Sequence, residues 1–140
     1  MTFANNQLHI PLIAARSNIC VTNMNDFGSS YFDLTEETSG GNEEIVAVPG
    51  KCRVAITQAE YVPAVFSVYP IDTLQNEFIS EHSWVFSNCL QIGRNVTNTE
   101  EEGPVIIEDG NVTIRNNGEL LIKNDFEVKK GASLLIHINN

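Results

Sequence analysis

Apolar and polar residues alternate in short runs along most of this chain, and turn residues break the runs about every ten positions. Apolar residues from Leu8 to Ala15 follow a polar Asn5-Asn6-Gln7 entry, and Ser17 to Thr22 continues with β-branched residues; this is one strand, or two broken near Arg16. Asn23-Met24-Asn25-Asp26-Phe27-Gly28 has turn chemistry, and Tyr31-Phe32-Asp33-Leu34-Thr35 alternates cleanly, so a hairpin is predicted here. A second turn over Thr38-Ser39-Gly40-Gly41-Asn42 leads to a third strand, Glu44 to Val48, and Pro49-Gly50 makes a sharp corner. In Lys51 to Tyr61, Cys52, Val54 and Ile56 share one face while Arg53, Ala55 and Thr57 share the other. Pro63 belongs at an edge or bend, after which Val65 to Tyr69 alternates again before Pro70. Short strands at this spacing predict a small β-sandwich.

The second half reads differently. Asp72 to Ser80 is the one weak helix candidate, but an extended connector carrying strand into Trp84-Val85-Phe86 suits it better. A second module should begin near Asn76, with Phe78, Trp84, Phe86, Leu90 and Ile92 on one face if the strands stay regular. Beyond Gly103 come very short β segments: 105–107, 112–114, 119–122, 126–128 and 134–138. Asp109-Gly110, Asn117-Gly118, Asn124-Asp125 and Lys130-Gly131 separate them. Segments this short are stabilised best by stacking as successive rungs, with Val112, Ile114, Leu120, Ile122, Phe126, Val128, Leu134 and Ile136 in one apolar column. An antiparallel meander is the competing arrangement. The fold class is all-β: a sandwich over residues 1–75 and a short-strand, stacked-β (solenoid-like) module over 76–140.

Charge narrows the partners. Eighteen acidic against eight basic residues give a net charge of −10, which repels phosphate backbones and anionic lipid. Nucleic acid is therefore not expected. The clusters Glu36-Glu37, Glu43-Glu44 and Glu100-Glu101-Glu102 read as solvated loop ends. No apolar run approaches the roughly twenty residues of a membrane span, and Ile10 to Ala15 lacks the preceding positive charge of a signal peptide. Three cysteines leave at least one unpaired. A Cys20–Cys52 bridge is disfavoured by parity: with Ile19 and Val21 inward, Cys20 faces outward while Cys52 shares the inward row of Val54 and Ile56.

Candidate chemistry is sparse. Cys20, Cys52 and Cys89 with His9, His82 and His137 are the raw material of a thiol–imidazole pair, but no local signature flanks any of them. Asn23, Asn25, Asp26 and Asp33 near Gly28 offer oxygens to calcium without the spacing of an EF-hand loop, and Asx-turns are their ordinary use. The scattered histidines and the absence of Cys-x-x-Cys argue against zinc. Trp84, Tyr31, Tyr61 and Tyr69 could form a sugar-stacking platform, although Val85 and Phe86 beside Trp84 suggest core. The sequons at Asn95 and Asn111 carry little weight. No residue is assigned a catalytic, cofactor-binding or metal role, and no cofactor is expected.

Two stretches carry a resemblance. Val54-Ala55-Ile56-Thr57-Gln58-Ala59-Glu60-Tyr61-Val62-Pro63-Ala64 resembles the final strand of the immunoglobulin-like domain that follows the catalytic domain of gingipain-type cysteine proteases, with Gln58-Ala59-Glu60 standing where that family has basic, histidine-containing residues. Ser17-Asn18-Ile19-Cys20-Val21 and Tyr31-Phe32 are similar to its opening strands. Ile92 to Thr97, Gly103-Pro104-Val105 and Gly110 to Ile136 look like the short β-rich coil that follows such domains in proteins using type IX secretion. The resemblance implies an immunoglobulin-like β-sandwich and an accessory, non-catalytic role in a secreted or cell-surface bacterial protein, of which this chain is one segment. Expected partners are the neighbouring domains of that parent chain, a second copy through sheet edges, or a glycan or protein ligand if the modules serve adhesion.

Overall fold

A computed structural model describes residues 1–11, 17–23, 33–38, 43–48, 50–57 and 63–139, and every regular element among them is a β-strand. The chain divides into two units, Met1–Pro70 and Ile71–Asn140.

In the first unit, Asn5 and Asn6 hold φ of 54° and 59°. Asparagine tolerates this left-handed region, so two residues suffice to reverse the chain between β1 (Thr2–Ala4) and β2 (Gln7–Pro11). Read from sequence as a mere polar entry, this Asn-Asn pair is in fact a hairpin turn. The expected third strand appears as β5 (Glu43–Ala47) and pairs antiparallel with β2, and Leu8, Ile10, Val46 and Val48 are buried.

The unit's other strands are β3 (Asn18–Asn23), β4 (Asp33–Glu37), β6 (Cys52–Ile56) and β7 (Val65–Pro70), antiparallel in the order β7-β6-β3-β4. Register sets Ile19 beside Ile56, Val21 beside Val54, Val54 beside Phe66 and Cys52 beside Val68. That row is buried throughout, each large side chain contributing about 1.5–3 kcal/mol. The β3–β4 hairpin and the Cys52-Val54-Ile56 face agree with the alternation. At β7 the half-buried expectation fails, since Ser67 and Tyr69 are buried as well as Phe66 and Val68. Of the turns read at 23–28 and 38–42 all but Asn23 and Thr38 lie outside the described residues, as do Pro49 and the stretch 58–62.

The second unit holds nine short strands: β8 (Thr73–Leu74), β9 (Glu77–Ile79), β10 (Ser83–Ser87), β11 (Gln91–Ile92), β12 (Val105–Ile107), β13 (Asn111–Asn116), β14 (Leu121–Ile122), β15 (Phe126–Val128) and β16 (Ser133–Ile138). They pair in parallel as three ladders, β8-β11-β14, β9-β12-β15 and β10-β13-β16. The chain visits the three ladders in one fixed order and adds a strand to each on every pass. Like residues therefore stack in register: Leu74, Ile92 and Ile122; Ile79, Ile107 and Val128; Val85, Ile114 and Ile136. The first two members of each column are at most 2% exposed. Pairing is parallel, so the meander is excluded for these strands.

Three expectations need correction. The extended reading of Asp72 to Ser80 holds as β8 and β9, but the unit begins at Ile71 rather than near Asn76. Phe78, Trp84, Phe86, Leu90 and Ile92 do not share a face: Leu90 and Ile92 are buried, while Phe78 is 57% exposed. Even spacing preserves parity only inside one strand, and corners such as Asn76 at φ 53° reset it. The single apolar column becomes three, one in each ladder; Leu120 lies in no strand, and Ile122 and Val128 are exposed.

Candidate functional site

In the β10-β13-β16 ladder Val85, Ile114 and Ile136 share the inward row, and Phe86, although of the opposite parity, is also buried at 7% exposure. The intervening residues form two rows, Trp84-Thr113-Leu135 and Phe86-Arg115-His137, in register across three strands. On this face the Trp84 and Phe86 rings stack, 6.1 Å between centroids and 11° from parallel. The Arg115 guanidinium lies 5.8 Å from the Trp84 ring, within cation–π range. The Arg115 Nε is buried and makes no hydrogen bond. Trp84 is half-buried and Leu135 is 55% exposed. This surface combines a half-buried indole, a half-buried guanidinium and an exposed aliphatic side chain.

Trp84 thus leaves the core assigned to it; Val85 takes that place. Of its proposed companions, Tyr69 is buried beneath the Lys51 ammonium at 5.2 Å, and Tyr31 and Tyr61 lie outside the described residues. Tyr69, being buried, offers no ring face to a ligand. Arg115 was missed and His137 was considered only as a partner for a thiol, because only the parallel register brings residues 29 and 22 positions apart in sequence into one row.

None of the three thiols is in a disulfide, and Cys20 and Cys52 sit where parity puts them. Cys20 is half-buried, Cys52 buried and Cys89 exposed. Burial pushes the Cys52 thiol up to about 12, so at neutral pH it is a packed apolar group with no thiolate to attack a substrate. Neither Cys52 nor Cys89 is hydrogen-bonded to a histidine; His82 Nδ1 accepts the Asn111 amide at 3.2 Å. The Asn111 side chain is likewise engaged, accepting the Ser133 hydroxyl at 2.6 Å. Among the described residues no group of three His, Cys, Asp or Glu is placed to hold a metal ion. The calcium candidates Asn25 and Asp26 lie outside them.

Polar residues build the interior of the second unit. The buried Asn116 side chain accepts from the Ser87 hydroxyl (2.8 Å) and the Leu90 amide (3.2 Å) and donates to the Gly118 carbonyl (2.9 Å). Outside it, Asn139 donates to Asn117 and Asn117 to Asn88, so one amide from each pass continues the next. Gln75, 1% exposed, organises residues 93–104: its Oε1 accepts from the amides of Val96 and Thr97, and its Nε2 donates to the carbonyls of Thr97, Glu100 and Glu101. The acidic run therefore hangs from a buried amide.

Fold and face together define an all-β protein with a parallel three-ladder unit carrying an aromatic–cationic pair. Comparison with protein-family models, with curated proteins and with solved structures found no match to this chain.

Proposed function

We propose that the chain is a non-catalytic structural module, a spacer or stabiliser within a longer exported protein of the bacterial cell surface. On this reading the first unit is an immunoglobulin-like sandwich and the second a short β-solenoid. The observation that carries it is the in-register stacking of Val85-Ile114, Ile92-Leu74 and Ile79-Ile107, locked by Gln75 and Asn116. Such a body resists bending because each pass is hydrogen-bonded to the next, and the loops with net negative charge keep it dispersed. The gingipain-type resemblance supports the same role, with any reaction belonging to a neighbouring domain. Deleting residues 1–140 from the parent chain should lower the neighbour's melting temperature while its kcat stays unchanged. Loss of turnover reproduced by single cysteine or histidine substitutions here would replace this reading with an enzymatic one.

The Trp84–Arg115 pair favours a second reading, adhesion to a glycan or protein. A flat ring with a cation above it suits a sugar face or an acidic side chain. A glycan or protein array hit that Trp84→Ala weakens about tenfold or more, in a variant melting like the parent, would establish it. Equal binding by both forms would remove the pair from consideration.

A further inference from the structure

The three ladders end on an uncovered turn. Below it, Ile92, Ile107 and Asn116 are at most 1% exposed; Ile122, Val128 and Ile138, which stack on them, are 46%, 37% and 48% exposed, while Phe126, Leu134 and Ile136 of the same turn are half-buried. Here β14, β15 and β16 each offer one unpaired edge of backbone N–H and C=O groups. Edges left to water are guarded by shortness, by lysine or proline along the edge, or by charges pointing inward. This turn has short β14 and β15 and lysines at 123, 129 and 130, but no proline, and the inward positions of its strands are all apolar.

Charge at this end admits a second copy. From Asn117 to Asn139 the chain has three acidic residues, Glu119, Asp125 and Glu127, and three basic ones, Lys123, Lys129 and Lys130. That end is neutral, so the whole net charge of −10 resides in residues 1–116, which repel a second copy. We propose that the open turn docks end-on against the same turn of a second copy, forming a two-fold dimer; this rests on the stacked reading of the second unit. The terminal turn climbs in the order β14, β15, β16, so a two-fold axis through the middle strand keeps the two spirals at constant separation. β15 then pairs antiparallel with its own copy, and β14 with the partner's β16. Pairing about Val128 sets Glu127 opposite the partner's Lys129, twice by symmetry. Ile122, Val128 and Ile138 are covered in the process.

Sedimentation equilibrium of the 140-residue chain across nanomolar to micromolar concentrations tests this. The expected mass is twice 15.5 kDa at the upper end. Val128→Lys and Ile138→Lys should each raise the dissociation constant at least tenfold, whereas Phe78→Lys, at an exposed outward position, should leave it unchanged. Should a lysine variant lose its fold, dilution of the parent supplies the answer: exchange of the amides in β14, β15 and β16 should quicken as the dimer dissociates. A monomer at every concentration, a larger assembly, or end variants that dimerise like the parent would each overturn the proposal. A monomer would leave the turn to a further strand of the parent chain or to another protein. Thr113→Cys with Leu135→Cys checks the stack separately. These positions are in register on adjacent strands, and an intramolecular disulfide mapped by peptide analysis shows that β13 and β16 still pair whatever the association state.

Discussion

Gly110→Ala is expected to destabilise the protein by about 3 kcal/mol, lowering the melting temperature by roughly 10 °C. Two causes act together. Gly110 holds φ at 82°, where a Cβ is strained, and that Cβ would lie 2.6 Å from the Glu81 carbonyl carbon and 2.8 Å from the His82 nitrogen. Both are backbone atoms of the preceding pass, so the strain is relieved only by parting two passes. Gly131→Ala is the control: φ is 97°, but nothing lies within 4 Å of the added carbon, and the expected cost is about 1–2 kcal/mol. Thermal melts of the two variants compare strain alone with strain plus contact. Equal losses would show that the close approach at Gly110 contributes nothing.

Gln75→Leu keeps the volume of a buried side chain and removes all five of its hydrogen bonds. Two amides and three carbonyls lose their partner. Part of that set is rehydrated, and a net loss of about 3–4 kcal/mol is expected from denaturant unfolding. The loss should be local first: amides of Val96 and Thr97 should exchange much faster, while those of β13 keep their protection relative to global unfolding. Gln75→Glu should not rescue the loop, because a carboxylate cannot donate to the carbonyls of Thr97, Glu100 and Glu101. If Gln75→Leu unfolds like the parent, the loop is held by something other than this amide.

How far sequence reached differs between the two units. Where a strand is long enough to alternate, as in Cys52 to Ile56, parity alone named the buried face and put Cys20 and Cys52 on opposite sides. Where strands have two or three residues, parity restarts at every corner, and Trp84 and Phe78 were set on the wrong side. Turn glycines were legible as a class but not in their reasons. Gly110 and Gly131 need positive φ, whereas Gly118 needs space, since a Cβ would stand 2.7 Å from the Asn88 carbonyl oxygen. Gln75 was invisible because its partners lie 21–26 residues away. The same distance problem hid Arg115 over Trp84.

Composition and short-range pattern by themselves determined that the chain is all-β, that short segments near its end repeat, and that its net charge is −10. Those properties depend on neighbouring residues and on summed charge, both written along the chain. Only the tertiary structure decided that the repeats pair in parallel, that Trp84 faces outward beneath a guanidinium, and that the last turn leaves its apolar side chains uncovered. Each of these depends on register between strands more than twenty residues apart, a quantity that local alternation does not encode.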